Sequence, residues 1–385
     1  MSIPVSRLIA VAATTLFAAT ACGQTTSVPT NPSVGASALR TTQYAAQPED
    51  NTSVLKLLTK TVEISSTVDP KNGDMGPRSL AQSTFSSGSI KKGDFIVCNF
   101  EDKNGNAGAG TTIEVIPNAP GSKPTTFYQG SDIEGCDGAA IAADGSVYAT
   151  GLVSKQMVHL TNKGKLKKAY TGLFDPLGDS YGPQPPGASG LYSPYFIFVG
   201  DLTTGSIYND SLGGYGTQKI TQVVNGFATS GSSSSGWAAQ GPEGLSYNNK
   251  IGTLYVTDAP DNTLVEITNA PNLLVKDEVT VQPGGKTFKC LYSSETCGKL
   301  IKAGKPLKAP EATALLPNGN LIVANAAGGN TLVEITPSGK VLDTKVVDTS
   351  KTQAIYALWA TGKNDSNTVL YYTDINSNTV EELEP

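Results

Sequence analysis

Three stretches of the chain repeat one pattern: CDGAAIAADGSVYATG from Cys136, PEGLSYNNKIGTLYVTD from Pro242 and PEATALLPNGNLIVAN from Pro310. Each carries an acidic and a small residue near its start, continues as a short apolar segment, turns at Asn, Asp or Gly, and ends with a second apolar segment. A third segment follows, such as TLVEIT from Thr263 and again from Thr331. Short strands separated by Asn, Asp and Gly turns are typical of antiparallel hairpins.

Weaker copies bring the number of units to six, and their second strands end at or near Asn99, Gly151, Asp201, Asp258, Asn325 and Asp374. Sheets this small are stable only when they stack against one another. The sequence therefore predicts an all-β fold, a six-bladed β-propeller of four-stranded antiparallel blades. The last unit ends after its third strand, so we expect SVLKLLTKTVEIS, residues 53–65, to supply the missing strand and close the ring.

The composition agrees with this fold and excludes several classes of protein. Of 385 residues, 38% are hydrophobic and 16% charged, and 41 are Gly and 23 Pro. A coiled coil would be rich in Ala, Glu, Lys and Leu, and a charge-driven disordered chain would carry more charge. The net charge is −5, and the one basic cluster lies at residues 163–168. Nucleic acid is therefore not an expected partner.

The N-terminus reads as an export signal. Residues 1–21 combine Arg7 with a short apolar run that ends at Cys22. This resembles a bacterial lipoprotein signal, in which the cysteine is lipidated; the alternative is a secretory signal cleaved after Ala19 or Ala21. We expect residues 22–50 to be a flexible tether and residues 51–385 to be the propeller. The expected location is the bacterial cell envelope, lipid-anchored (in the outer membrane if Gram-negative), and otherwise secreted.

Outside the cytoplasm, thiols tend to be paired. Four cysteines remain in the predicted propeller besides Cys22. Neighbouring blades bring Cys98 and Cys136 together, and Cys290 and Cys297 flank one loop, so we predict the disulfides Cys98–Cys136 and Cys290–Cys297. Buried free thiols are the alternative.

The repeat resembles those of NHL-repeat propellers and of gluconolactonases, senescence marker proteins and streptogramin lyases, over residues 53–385. In such a fold the first residues of the innermost strands surround one mouth of the central channel. The sequence predicts this ring as Arg78, Asp137, Ser189, Glu243, Glu311 and Gln353. The resemblance to the gluconolactonases implies a divalent metal such as Ca²⁺ there, held by Asp137, Glu243 and Glu311, since carboxylates suit hard cations.

Two features depart from those relatives. Arg78 shares the predicted ring, and a guanidinium among three carboxylates would pair with them and disfavour a dication. The lone histidine, His159, lies in a third strand away from the mouth, so neither a lyase that needs a catalytic His nor a Ser-His-Asp hydrolase is expected. Three interpretations of the ring stay open: a salt-bridged plug, a metal site, and a pocket in which Arg78 binds an anion or polar ligand.

Two long segments, residues 174–192 and 229–244, are predicted to be insertions above this mouth. Tyr181, Tyr192 and Trp237 are aromatic anchors in them, suited to a flat ligand or to packing of the loops. The leading hypothesis is a non-catalytic envelope lipoprotein that needs no cofactor and binds a small polar ligand or an envelope protein. We expect a monomer that contacts the membrane through its lipid anchor only. The alternative is a metal-dependent, lactonase-like hydrolase.

Overall fold

Six sheets surround a central channel in the computed structural model, which describes residues 50–183, 195–212, 220–293, 296–350, 352–362 and 365–385. Neighbouring sheets contact one another through their innermost strands. The predicted six-bladed β-propeller is therefore confirmed. No helix in the described ranges is long and apolar enough to cross a membrane.

The strands are numbered along the chain and grouped here by blade. Blade 1 holds β2 (Met75–Pro77), β3 (Ala81–Gln82), β4 (Phe95–Glu101), β5 (Ala107–Ile116) and β6 (Thr125–Gln129); blade 2 holds β7 (Cys136–Ile141), β8 (Val147–Gly151), β9 (Gln156–Leu160) and β10 (Leu166–Tyr170); blade 3 holds β11 (Pro176–Pro183), β12 (Tyr195–Asp201), β13 (Ser206–Leu212) and β14 (Ile220–Asn225). Blade 4 holds β15 (Pro242–Asn248), β16 (Thr253–Asp258), β17 (Thr263–Ile267) and β20 (Gly298–Ala303); blade 5 holds β21 (Pro310–Leu315), β22 (Leu321–Asn325), β23 (Thr331–Ile335) and β24 (Val341–Val346); blade 6 holds β25 (Ile355–Thr361), β26 (Val369–Asp374), β27 (Thr379–Glu384) and the N-terminal β1 (Lys60–Ser66). The short hairpin β18 (Val279–Val281) and β19 (Phe288–Cys290) joins blade 3, and 3₁₀ turns occur at Ser131–Ile133, Ser233–Ala238, Ala270–Asn272 and Asp365–Asn367.

The core of the molecule lies between the blades. One buried apolar cluster sits between blades 2 and 3 and includes Met157 and Ile197. Another sits between blades 4 and 5 and includes Leu264 and Val323. The remaining pairs of neighbouring blades share clusters of the same kind. Each sheet thus buries both faces only because it has a neighbour on each side, which is the reason that a single blade would not fold alone.

The N-terminal strand closes the ring, as predicted. β1 pairs antiparallel with β27, from Lys60 opposite Glu384 to Ser66 opposite Thr379. The prediction is corrected in its bounds, since the strand begins at Lys60 and residues 53–59 form a turn. That turn buries Val54, Leu55 and Leu58 against the cluster between blades 5 and 6, because all three apolar side chains lie on its inner side.

Both predicted disulfides are present. Cys98 of β4 is bonded to Cys136 of β7, which links blade 1 to blade 2. Cys290 of β19 is bonded to Cys297, next to the first residue of β20. The second bond lies in the longest interval between units, where the hairpin β18–β19 leaves blade 4 and adds to β14 of blade 3 in parallel. Two disulfides point to an extracytoplasmic protein.

Candidate functional site

The innermost strands of blades 2 to 6 start with the same irregularity. The first residue pairs with the end of the second strand, as in Cys136–Gly151 and Pro242–Asp258, and the register shifts before the next pair, Ala139–Ala149 and Leu245–Val256. The same shift occurs in blades 3, 5 and 6. A bulge of this kind re-aims the side chains near it, so one residue per blade is turned into the channel mouth.

We call these residues the mouth ring. Each member follows the residue that pairs at or near the end of the second strand, such as Pro77 opposite Asn99 or Pro242 opposite Asp258. The members are Arg78, Asp137, Leu177, Glu243, Glu311 and Tyr356. All are buried. A second layer lies two residues after the mouth ring in each blade. Its members are Leu80, Ala139, Asp179, Leu245, Thr313 and Leu358.

The small residue after the acidic one in the repeat now has a physical reason. A Cβ on Gly138 would lie 2.7 Å from the backbone nitrogen of Asp179, and a Cβ on Gly244 would lie 2.8 Å from the Cα of Ala312. Innermost strands of neighbouring blades approach this closely only where one of them lacks a side chain. The same pattern that marks the repeat in the sequence therefore also holds the mouth ring together.

The structure brings together four of the six ring residues predicted from sequence. In the other two blades, different residues from the predicted Ser189 and Gln353 lie in the ring. Ser189 lies outside the described residues, and Leu177 of β11 holds the ring position of blade 3. In blade 6 the position belongs to Tyr356, whose hydroxyl donates to Gln353 at 2.7 Å. Leu177 could have been found from the sequence, since Pro176-Leu177-Gly178 matches Pro242-Glu243-Gly244 in type and spacing.

Arg78 fills the centre of the mouth ring. Its Nε and Nη2 each donate to one carboxylate oxygen of Glu243 at 3.0 Å, and Nη2 also donates to the carbonyl of Ala239 at 3.2 Å. The Nε lies 2.9 Å from Oδ2 of Asp137, and neither the Arg78 nor the Asp137 side chain is exposed. Burial opposes the charge on the guanidinium, but Asp137, Glu243 and Glu311 raise the pKa of Arg78 above its usual value.

Aromatic rings enclose the same guanidinium. Its carbon lies 4.6 Å from the ring centre of Phe100, 5.3 Å from that of Tyr356 and 5.4 Å from that of Trp237. Trp237 packs on the two other rings and donates its Nε1–H to Glu101 at 2.5 Å. The predicted loop 229–244 does cover the mouth, but its tryptophan is engaged in holding Arg78.

The structure corrects the other predicted insertion, residues 174–192. Residues 176–183 of the segment 174–192 form β11, the innermost strand of blade 3. Tyr181 therefore lies in the channel wall, stacked on Tyr195 with ring centres 5.7 Å apart. Tyr192 lies outside the described residues. His159 of β9 is buried away from the ring and stacks on Tyr148, and burial lowers its pKa to about 4.

Two cavities follow one another down the channel. A small one of about 70 Å³ lies between the mouth ring and the second layer, and its described lining contains four carboxyl groups and a single cation, Arg78. A larger one of about 620 Å³ lies beyond the second layer and is lined by all six blades. The residues that line both cavities are the second layer itself, in which Asp179 is the one charged member.

The carboxyl groups outnumber their cation, and burial raises the pKa of three of them. Burial raises the pKa of Asp137 well above its ordinary value, even though Arg78 opposes the shift. Burial and then the neighbouring Glu243 raise the pKa of Glu311 in the same direction. Burial and the charge of Asp137 raise the pKa of Asp179. No other described residue donates a hydrogen bond to either carboxylate oxygen of Asp179.

The three residues predicted to hold a divalent metal do not fit one in this arrangement. Arg78 already contacts Asp137 and Glu243. Among the residues described here, no group of three or more His, Cys, Asp or Glu side chains is placed to hold a metal ion. Calcium takes six to eight oxygen ligands, and a guanidinium in their midst repels it.

Substituting Asp179 with asparagine is expected to weaken the pH dependence of stability. A carboxyl group whose pKa is raised by folding stabilises the protein below its unfolded pKa, and this stabilisation is lost as the pH rises towards the folded pKa. Asp179 faces Arg78, Asp137, Glu243 and Glu311 across the small cavity. Between pH 5 and 8, Asp179→Asn should reduce the fall in unfolding free energy by up to about 1.4 kcal/mol per pH unit.

Urea unfolding at several pH values measures this slope. Asp343→Asn on the outer strand β24 is the matched control and should leave the slope unchanged. If the slopes of Asp179→Asn and the unsubstituted protein coincide, Asp179 does not carry an extra proton in the folded state.

Comparison with known proteins agrees with the fold. No protein-family model and no curated protein sequence matches the chain. Solved structures do match: a gluconolactonase from Xanthomonas campestris (11% identity, TM-score 0.53, covering 89% of this chain and 96% of that one) and a protein described as a gluconolactonase (14%, 0.51, covering 89% and 97%). Virginiamycin B lyase from Staphylococcus aureus, in a catalytically inactive form with quinupristin, matches at 15% identity and a TM-score of 0.49, covering 84% and 88%. At such identities the gluconolactonase structures establish the shared six-bladed propeller and nothing about activity.

Proposed function

We propose that this protein is an exported propeller of the cell envelope that binds a ligand or a partner protein without catalysing a reaction. The observation that carries the proposal is the position of Arg78. Its guanidinium lies among the carboxylates where a metal-dependent relative would need its metal, and it is buried and paired with Glu243 and Asp137. A salt-bridged plug of this kind locks blades 1, 2 and 4 together, which is a structural role.

The chemistry around the channel supports a binding role. His159 is buried against Tyr148, outside the channel, and its lowered pKa leaves it neutral at pH 7. The described walls of the larger cavity hold no histidine, lysine or arginine and one carboxyl group. A cavity of about 620 Å³ is within the size range of ligand pockets, whereas acid–base catalysis needs titratable groups placed on both sides of a reacting bond.

The proposal includes export and a lipid anchor. The two disulfides fit an oxidising compartment, and the apolar run before Cys22 fits a lipoprotein signal. If Cys22 carries the lipid, Cys22→Ser should move the protein from the membrane fraction to the soluble fraction of the cell envelope. A protein that fractionates identically with and without this substitution is not anchored through Cys22.

A calcium titration separates this proposal from a metal-dependent hydrolase. We expect no stoichiometric metal in the purified protein and no increase in melting temperature at millimolar Ca²⁺, because Arg78 neutralises the ligands that the ion would need. Elemental analysis and calorimetry measure the two quantities. Arg78→Met is the matched control, since it removes the guanidinium and frees Asp137 and Glu243 for a cation.

The opposite outcome is equally specific. A divalent ion that co-purifies at one per chain, and that is lost in Glu243→Gln, would contradict the binding-only proposal. It would favour a lactonase-like hydrolase with Asp137, Glu243 and Glu311 as metal ligands.

A further inference from the structure

We propose that the larger cavity binds a small organic amine, with the ammonium group at Asp179 and the apolar body of the ligand along the channel. This inference rests on the proposed function, because it names the ligand class for the binding role. The site is distinct from the mouth ring and is reached from the opposite face of the propeller.

The larger cavity opens on that opposite face. Its lining includes Thr84, Ala143 and Asn249, which are exposed and lie just beyond the last residues of β3, β7 and β15. At its inner end the second layer closes it, and beyond that layer the mouth ring is sealed by Arg78 and the aromatic side chain of Trp237. A ligand therefore enters from one side and reaches a dead end at Asp179.

Asp179 is an unpaired acid at that dead end. Neither carboxylate oxygen is accessible to solvent in this structure, and neither accepts a hydrogen bond from any other described residue, so the side chain must turn towards the cavity to meet a ligand. A buried carboxylate without a partner is costly, and a partner that supplies hydrogen bonds and positive charge removes the cost. Thr313 of the same layer likewise has a buried hydroxyl without a hydrogen bond to the described residues, and an ammonium group has three donors to share.

The charges around the layer have the sign that attracts a cation. Arg78 is the single positive group among Asp137, Asp179, Glu243 and Glu311, and it is already hydrogen-bonded to Glu243 and ion-paired with Asp137. The described walls of the larger cavity add no positive side chain. An anionic ligand would find no unpaired positive side chain at the dead end and none along the described wall.

The rest of the wall selects an organic ligand over a bare ion. Leucine, alanine and aromatic side chains form most of it, including Tyr181, Tyr247 and Trp359. These surfaces gain from covering an apolar body, and aromatic faces also attract cations. An inorganic cation would leave most of the 620 Å³ unfilled and would find one carboxylate where it needs several oxygens.

Binding requires Asp179 to be ionised. Burial and Asp137 raise its pKa, so at neutral pH the arriving ammonium displaces a proton from the carboxyl group to the solvent. The affinity for an amine should therefore increase as the pH rises, as long as the amine itself stays protonated. A neutral ligand of the same shape displaces no proton and should bind equally well at each pH.

Isothermal titration calorimetry of the purified full chain with 4-phenylbutylamine tests the site, with 4-phenylbutan-1-ol as the neutral ligand of the same shape. We expect the amine to bind about tenfold more tightly than the alcohol or better, since one charge-assisted hydrogen bond accounts for that ratio. Asp179→Asn should abolish this preference and leave the affinity for the alcohol unchanged. Asp343→Asn, the same substitution on β24, should change neither affinity.

A second variant tests the place of binding without altering any charge. Ser246 of β15 lines the larger cavity and is partly exposed, so Ser246→Trp should fill the channel and weaken the binding of both ligands. Equal affinities of the unsubstituted protein for amine and alcohol, an amine affinity unchanged by Asp179→Asn, or no binding of the amine at millimolar concentration would each overturn the inference. Recovery of chemically unchanged amine is also expected; its conversion into a product would overturn the non-catalytic function while leaving the amine site in place.

Discussion

Replacing Arg78 with alanine should lower the free energy of unfolding by about 3–5 kcal/mol at pH 7, as expected when one partner of a buried ion pair is removed. The substitution leaves Glu243 and Asp137 buried without their cation and removes the side chain that Phe100, Trp237 and Tyr356 enclose. The lost charge and the lost packing act in the same direction. Urea unfolding of the variant measures the loss.

Two further substitutions divide the effect into its parts. Arg78→Met keeps an apolar side chain among the aromatic rings and loses only the charge. Arg78→Lys keeps the charge and loses the two-pronged contact with Glu243, for which a lysine has no matching geometry. If the charge dominates, the methionine variant should be nearly as destabilised as the alanine variant and the lysine variant much less so.

The pH provides an internal control for the Arg78 variants. Without the guanidinium, which opposes the rise in the pKa of Asp137, that carboxyl group can become neutral by binding a proton, so the destabilisation should be smaller at pH 5 than at pH 8. A loss that is the same at both pH values would assign the effect to packing. A near-neutral Arg78→Ala at pH 7 would mean that water or a cation already satisfies the mouth ring.

Deleting residues 51–65 should prevent the domain from folding cooperatively. The deletion removes nearly all of β1, leaves β27 with an unpaired edge, and exposes the surface covered by Val54, Leu55 and Leu58. Burial of three large aliphatic side chains contributes about 5–9 kcal/mol, which is comparable with the whole stability of an ordinary domain. Circular dichroism during heating should show a broad or absent transition.

A point substitution tests the same packing in case the deletion variant aggregates. Leu58→Ala should lower the unfolding free energy by about 2–5 kcal/mol, because its side chain is fully buried between blades 5 and 6. Lys60→Ala is the control, since its ion pair with Glu384 lies at the surface, where such pairs contribute little. If the deleted protein melts like the full chain, closure by β1 is not needed for stability.

The sequence could predict what the repeat itself encodes. The residues that mark the second strands pair with the first residues of the innermost strands, as Asp258 does with Pro242. Matching the repeat units at their second strands therefore also places the mouth-ring residues at equivalent positions. Arg78, Asp137, Glu243 and Glu311 followed from this alignment. The closing strand and the bond Cys98–Cys136 followed from the order of neighbouring blades, and the bond Cys290–Cys297 followed from its position across one short loop.

The sequence could not predict contacts that depend on where irregular segments lie. Blade 3 was misaligned because β11 sits within a stretch rich in Gly and Pro that resembles a loop, although its Pro-Leu-Gly start matches the other units. This misalignment concealed Asp179. The position of Trp237 over Arg78 depends on a loop without regular period, and the addition of β18–β19 to blade 3 depends on a contact between separate units.

The pairing of β1 with β27 also has a consequence for the order in which the molecule can be completed. Residues that pair across these two strands are as far as 324 positions apart in the chain, as Lys60 and Glu384 are. A ribosome makes the N-terminal strand first, yet its hydrogen-bonding partner is made last, so β1 must wait as an open edge that invites association with other chains. Ring closure across so long a loop is a slow, non-local event. A chain crossing a membrane before folding would have this last step postponed until all six blades are on the same side.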